Sequence, residues 1–338
     1  MNRAASRFAI LAIYELHNAR RAMNRRFAPL LVALATSLLT AIAQADGTAH
    51  SLAQVPSKFE TNEARAAYKN EMGIAPESDG FGTRLPAGFT KQTVIAQVAP
   101  GQNSERAVLV GVKPWPQRTG AYVAIVCIAS TDAIAEQALR SPASQQCDGV
   151  GRTSDDAKTS QNLVWLGIFE RGPDGAPKLV ARTERPVDQP TDWSATNIQA
   201  PDDLDDKSDS NQALPEQWRR FDLAPYQLRA GDYAFGVRAG WEIGYSGGGA
   251  SFEALYLFRI DGAALRLIFA QPMMYYRDIA GDWHRDGTRD HDIEDGSNAL
   301  SMLPTSTDGF RDLQLRARGG KWRQTFGWSA QDGKYVPR

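Results

Sequence analysis

The chain is poor in the two residue types that most often announce chemistry. Among 338 residues there are two Cys and four His. That rules out a disulfide-dense scaffold and a multi-thiolate zinc centre. No G-x-x-x-x-G-K-[ST] loop, H-E-x-x-H pair or C-x-x-C pair is present, which removes three familiar signatures of phosphate, zinc and redox chemistry. Ser246 in YSGGG is no nucleophile elbow, because strand-like rather than helical sequence follows it. Beyond residue 45 no apolar run is long enough to span a bilayer.

The one apolar run lies at the start. Arg25 and Arg26 precede the apolar residues 27–42, and Ala43-Gln44-Ala45 follows as a cleavage site. This pattern predicts a signal peptide over 1–45. A start at Met23 gives it ordinary length, so residues 1–22 are either a long basic leader or the product of a mis-assigned start codon. A retained membrane anchor is the competing reading, disfavoured by the shortness of the run. The expected location is periplasmic or secreted, with no stable membrane insertion after cleavage. Residues 1–45 hold six Arg and one Glu, so the remainder carries 32 basic and 38 acidic residues, a net charge of −6. That balance argues against a nucleic-acid partner. In an exported protein, Cys127 and Cys147 are expected to form a disulfide.

What is abundant is turn chemistry, with 29 Gly and 18 Pro. One helix is expected over 60–72, with Thr61 as its cap, Ala64, Ala67, Tyr68 and Met72 on one face, and Gly73 as its stop. Strands are expected over 91–98, 106–112, 122–128, 163–170, 178–182, 232–238, 252–260, 265–270, 313–318 and 322–328, where β-branched and aromatic residues alternate with Gly, Pro and Asp turns. Hairpins are expected at 170–175 and 260–262, where Asp-Gly supplies a positive φ. The fold class is therefore all-β, an antiparallel sandwich or propeller-like array with a short N-terminal helix. After the signal peptide the expected divisions are a linker and helix over 46–88, a β half over 89–220 with a cysteine-bearing insertion, and a second β half over 221–338. The halves share spaced identities at an offset of 89 or 90. Leu166 and Phe169 match Leu255 and Phe258, Asp192-Trp193 matches Asp282-Trp283, and Asp222-Leu223 matches Asp312-Leu313. They read as an internal duplication. The acidic run 202–209 has nothing to bury and reads as a solvated loop.

Two copies of Asp-Gly-X-Arg-Asp mark the candidate site, at 286–290 and 308–312. Seven carboxylates lie between Asp278 and Asp295. In the first copy Asp282, Asp286, Thr288 and Asp290 are spaced as oxygen ligands of a calcium loop, with Gly287 where such a loop turns back. His284 stands where a further oxygen ligand is usual. The second copy, with Asp308 and Asp312, resembles the tail of FG-GAP or VCBS repeats, in which a D-x-D-x-D-G-x-x-D-L loop binds calcium in a β-propeller blade. Pro304 and Ser306 replace the upstream acidic positions. The C-terminal segment as a whole resembles that of exported bacterial proteins. The resemblance to FG-GAP or VCBS repeats implies calcium as cofactor; without it, Asp308 and Asp312 are structural turn residues. His284 and His291 with Asp292 form an alternative zinc or copper set.

The expected function is a non-enzymatic binding or structural role in the envelope, with an envelope protein or a glycan as partner. One alternative is a metal-dependent hydrolase using His284, Asp286 and His291. Another is a carbohydrate- or peptidoglycan-binding protein using exposed members of the set Trp115, Trp193, Trp218, Trp241, Trp283, Trp322 and Trp328.

Overall fold

The computed structural model describes residues 47–74, 79–140, 146–152, 158–201 and 212–338. The expected signal peptide, its cleavage site and the acidic run 202–209 lie outside these residues. In chain order the helices are α1 (Val55–Lys58), α2 (Asn62–Glu71), α3 (Lys91–Val98) and α4 (Asp132–Arg140). The strands of the first half are β1 (Gly47–Ala49), β2 (Ala107–Pro114), β3 (Ala121–Ala129), β4 (Cys147–Asp148), β5 (Val150–Arg152), β6 (Lys158–Ser160), β7 (Asn162–Arg171), β8 (Pro177–Arg182), β9 (Thr191–Asp192) and β10 (Gln212–Ala213). Then come β11 (Gln217–Arg229), β12 (Asp232–Tyr245), β13 (Gly248–Asp261), β14 (Ala264–Trp283), β15 (Arg289–Thr307), β16 (Phe310–Ala317), β17 (Arg323–Ser329) and β18 (Lys334–Pro337).

The fold is all-β, as its turn-rich composition indicates. Fourteen strands join in one mixed sheet, in which β11 to β18 follow one another as an unbroken antiparallel meander rather than as separate blades. A second run, β2-β3-β7-β8, joins it through a parallel contact between Arg182 and Ala264. Within β15, residues 289–297 pair with β14 and residues 298–307 pair with β16. That strand thus leaves one layer and enters the next.

Alternation along the strands assigns the faces. Phe235, Val237, Ala239 and Trp241 of β12, with Tyr256 and Phe258 of β13, meet Val123 and Ile125 of β3 and Leu166 and Ile168 of β7 in the largest core. The opposite face, through Ala234, Leu255 and Leu257, packs on Leu313, Leu315, Phe326 and Trp328 of the last strands. Strands β12 and β13 are therefore buried on both sides, which explains their nearly continuous apolar sequence. The outer face of β3 and β7 is covered by α3.

That helix corrects one expectation. Residues 91–98 form α3, not a strand. The apolar residues Val94, Ile95 and Val98 fit either period over so short a run. What decides is Thr90, whose hydroxyl accepts from the Thr93 backbone N–H at 3.1 Å, while the Thr93 hydroxyl accepts from the Thr90 N–H at 3.2 Å. This is a reciprocal cap satisfying two end groups. Gly167 of β7 lets the helix approach, since a Cβ there would meet Val98 Cγ2 at 2.7 Å. Replacing Thr90 by Ala is expected to lower stability by about 1 kcal/mol, read by urea denaturation; an unchanged midpoint would show that the cap contributes nothing.

Three further differences matter for the site. Residues 47–58, expected as linker, form β1 and α1, and β1 pairs with β15. Residues 282–295, expected as a loop, are the tip of the β14–β15 hairpin and the first half of β15. The expected boundary at 220/221 falls inside β11.

Candidate functional site

The hairpin tip is a turn over 284–288, closed by the His284 N–H donating to the Thr288 carbonyl at 2.8 Å, with Gly287 at φ +82°. Asp286 Oδ1 accepts from both the Thr288 backbone N–H (3.0 Å) and its hydroxyl (2.7 Å). These bonds hold the Asp286 carboxyl below the usual carboxylate range. Asp286 and Thr288 are thus bonded to each other within the turn. The expected oxygen cage of Asp282, Asp286, Thr288 and Asp290 does not converge on one point. Among the described residues one group of three His, Cys, Asp or Glu donors does converge, and it is His50, His284 and Asp290.

Strand geometry explains this grouping. Asp290 and Asp292 point to one face of β15, His291 and Ile293 to the other. Ala49 of β1 stands opposite His291, so the next residue, His50, arrives beside Asp290. His50 Nδ1 lies 2.7 Å and His284 Nε2 2.8 Å from the same atom, Asp290 Oδ1. The hydrogen bonds from His284 and His50 hold the Asp290 carboxyl low, and Asp290 in turn raises His284. Asp292 accepts from the Thr48 hydroxyl at 3.3 Å. Asp295 accepts from the backbone N–H groups of Glu60 and Thr61, each at 2.8 Å, and from the Thr61 hydroxyl at 2.6 Å. Thr61 in turn caps α2. The acidic strand is a rail on which the segment 47–61 is seated.

His291 belongs elsewhere. It is buried, with Nδ1 2.7 Å from Oδ1 of Asp278, itself buried. Burial raises the Asp278 carboxyl, and the hydrogen bond with His291 partly offsets this. In the alternative set of His284, His291 and Asp292, His291 and Asp292 point to opposite faces of β15 and His284 lies in the hairpin turn; in the hydrolase trio His284 and Asp286 belong to that turn while His291 is buried against Asp278. The second Asp-Gly phrase makes a two-residue turn between β15 and β16, with Asp308 at φ +49° and Gly309 at φ +80°. Buried Asp312 accepts from the Thr307 hydroxyl at 2.6 Å across that turn. Cys127 and Cys147 are joined as a disulfide. Of the seven Trp singled out, Trp115, Trp193, Trp218, Trp241 and Trp328 are buried and Trp283 is exposed, with Arg289 over its ring.

A second feature carries no sequence signature. A cleft of about 1060 Å³ opens between α2 and the ends of β11 to β14. Its glycine-lined wall, Gly244 and Gly247 to Gly249, is backbone, and Leu52 and Met72, each about half exposed, stand on its lip. Five carboxylates line it, Glu63, Glu71, Glu242, Glu253 and Asp278, against Arg219 and Arg220. Both arginines are engaged: Arg219 with Glu242 at 3.0 Å and Arg220 with Glu253 at 2.6 Å. Glu71 accepts a hydrogen bond from the Tyr276 hydroxyl. Burial of its carboxyl, and then the negative charge of Glu242, push Glu71 up to about 7. The residue as a whole stays open to solvent at the cleft mouth, so water screens part of that strain.

Comparison with family models, curated proteins and solved structures finds no match.

Proposed function

We propose that this chain is an exported, non-enzymatic binding protein of the cell envelope, and that the cleft beneath α2 takes an organic cation, a primary amine or guanidinium on an apolar body. Export is supported by the leader-like residues 1–45 and by the Cys127–Cys147 bond, which suits an oxidising compartment. A large concave site with a few converging polar groups is the usual form of a small-molecule site. Glu71 carries the choice of ligand. It is a carboxylate held beside a second carboxylate; the hydroxyls of Tyr276 and Ser251 are its hydrogen-bond partners, and Arg219, the cation that attracts it, is already paired with Glu242. A bound cation supplies the missing charge, and Leu52 and Met72 cover its apolar part.

The pH dependence follows with a definite sign. Glu71 ionises near pH 7 in the folded protein. Affinity for a cation should fall roughly tenfold per pH unit below 7 and level off above it. In the unliganded protein the same raised value works against the fold. Stability from this group is lost as pH rises from 4.5 to 7, because folded Glu71 holds its proton where the unfolded chain has released it. Calorimetric titration with benzylamine and agmatine, against benzyl alcohol as the uncharged control, tests the assignment. The expected result is binding of the two cations that strengthens toward pH 7 and weakens at least about tenfold in Glu71→Gln, the loss of one charge-assisted contact. Equal binding of benzyl alcohol, or an unaffected Glu71→Gln protein, would reject it.

A further inference from the structure

Three of the four histidines are among the described residues, and two of them share one carboxylate oxygen. We propose that His50, His284 and Asp290 bind a divalent transition metal of the zinc class, and that the ion clasps β1 to the tip of the β14–β15 hairpin. This site is separate from the cleft and stands whether or not the cleft binds a cation.

The three donor atoms come from three segments, and His50 and Asp290 are 240 residues apart in the chain. They nevertheless lie within 4.8 Å of one another. Metal–ligand bonds of 2.0–2.2 Å place the donors of a tetrahedral centre about 3.3 Å apart. The two imidazole-to-carboxylate distances of 2.7 and 2.8 Å need to open by only a few tenths of an ångström. The imidazole rings stand 6.0 Å apart at 62°, so they meet edge to face and neither covers the other's nitrogen with its plane.

The donor set selects the ion. Two imidazole nitrogens with one carboxylate oxygen suit zinc, copper, nickel or cobalt, whereas calcium takes six to eight oxygens. The side chain of His50 is 69% exposed and that of His284 39% exposed, so an ion enters directly from solvent and a fourth position faces water. Asp282 and Asp286, whose charges reach His284, draw cations toward the tip. There is also something for a clasp to do. β1 is only three residues long, and one edge strand of that length pairs weakly by itself.

The probe is Zn²⁺ added to the chelator-treated protein and followed by calorimetry, with Co²⁺ as a spectroscopic substitute and Ca²⁺ as competitor. One Zn²⁺ per chain is expected, with ligand-field bands from Co²⁺ and no displacement by millimolar Ca²⁺. His50→Ala, His284→Ala and Asp290→Asn should each weaken Zn²⁺ binding by at least tenfold. Asp286→Asn, which is outside the donor set and keeps its turn, should leave it unchanged. Zn²⁺ should raise the melting temperature of the parent protein and of Asp286→Asn but not of His284→Ala. Circular dichroism of the two histidine variants, both changed at exposed positions, establishes that they are folded. No Zn²⁺ binding, binding unaltered in His50→Ala and His284→Ala, or binding abolished by Asp286→Asn or by Ca²⁺ would each overturn the proposal.

Discussion

Replacing Glu253 by Gln is expected to lower the unfolding free energy by about 3 kcal/mol, near the lower end of the range for breaking a buried ion pair. Glu253 is 5% exposed and sits in the middle of β13, the strand buried on both faces. Arg220 grips it with two nitrogens, at 2.6 and 2.9 Å, and Arg238 reaches the same carboxylate at 3.1 Å. Arg238 also donates to Asp222 Oδ2 at 2.6 and 2.8 Å. Removing the Glu253 charge leaves Arg220 unpaired at the cleft floor and Arg238 with Asp222 alone, which keeps the loss from reaching the top of the range. Burial by itself would raise the Glu253 carboxyl. Arg220, then Arg238, outweigh it and hold the carboxyl below its ordinary 4.5. A depressed folded pKa contributes stability above the unfolded value, and that contribution disappears as pH falls through the folded one. The gap between parent and variant should therefore be full at pH 7 and narrow as the solution is acidified below about pH 4.5. Urea denaturation at pH 7 and at pH 3 measures both. A variant within about 0.5 kcal/mol of the parent at pH 7 would mean that water, not Arg220 and Arg238, neutralises this carboxylate.

How much of this was legible in the chain depends on the distance over which each feature is encoded. The Asp-Gly turns at 174–175, 261–262 and 308–309 are local, and Gly175, Gly262, Asp308 and Gly309 take the positive φ that their sequences announce. The cap of α2 by Thr61 and its end at Gly73 are local in the same way. α3 was readable in principle from Thr90 and Thr93, but the apolar pattern of eight residues fits two periods. β15 was not readable by composition. Its first half, RDHDIEDG, carries four acidic residues whose partners are Thr48, His50 and Thr61, more than 200 positions away, Gln199, 95 positions away, and His284 across the hairpin. A strand recruited to hold another segment looks like a loop until that segment is in place. For the same reason the sequence grouped Asp290 with Asp282, Asp286 and Thr288, whereas the imidazoles that lie against it are those of His50 and His284. His50 joins it only through the register of β1 on β15. The one sequence signal that could have found it is arithmetic: outside the leader only three histidines remain. Glu71 had no signal at all, being one more polar residue on the outer turn of a helix.

Removing the disulfide should have an effect of similar size by another route. Cys127 lies in β3 and Cys147 in β4, both wholly buried, with Cα atoms 6.2 Å apart and a sequence separation of 20. Closing a loop of about that length restricts the unfolded chain and stabilises by about 3 kcal/mol in the chain-entropy picture. The native geometry adds a second consequence. β4 pairs with β11 through Cys147 opposite Trp218, and β3 belongs to the neighbouring layer, so the bond ties the β2-β3-β7 run to the start of the meander. Replacing both residues by Ala keeps the site apolar and isolates the loss of the link from the burial of new polar groups. The double variant is expected to unfold at lower urea with the same native circular dichroism. Its β4–β11 pairing should be the first to open, so the amide of Trp218 should exchange with solvent faster than the amides of β12. Because Arg220 lies two residues beyond Trp218, combining the double alanine change with Glu253→Gln should cost more or less than the sum of the two, beyond the few tenths of a kcal/mol allowed to independent sites. Strict additivity, or a double alanine variant as stable as the parent, would show that packing of Trp218 and Tyr256 holds the layers together without help from the sulfur bridge.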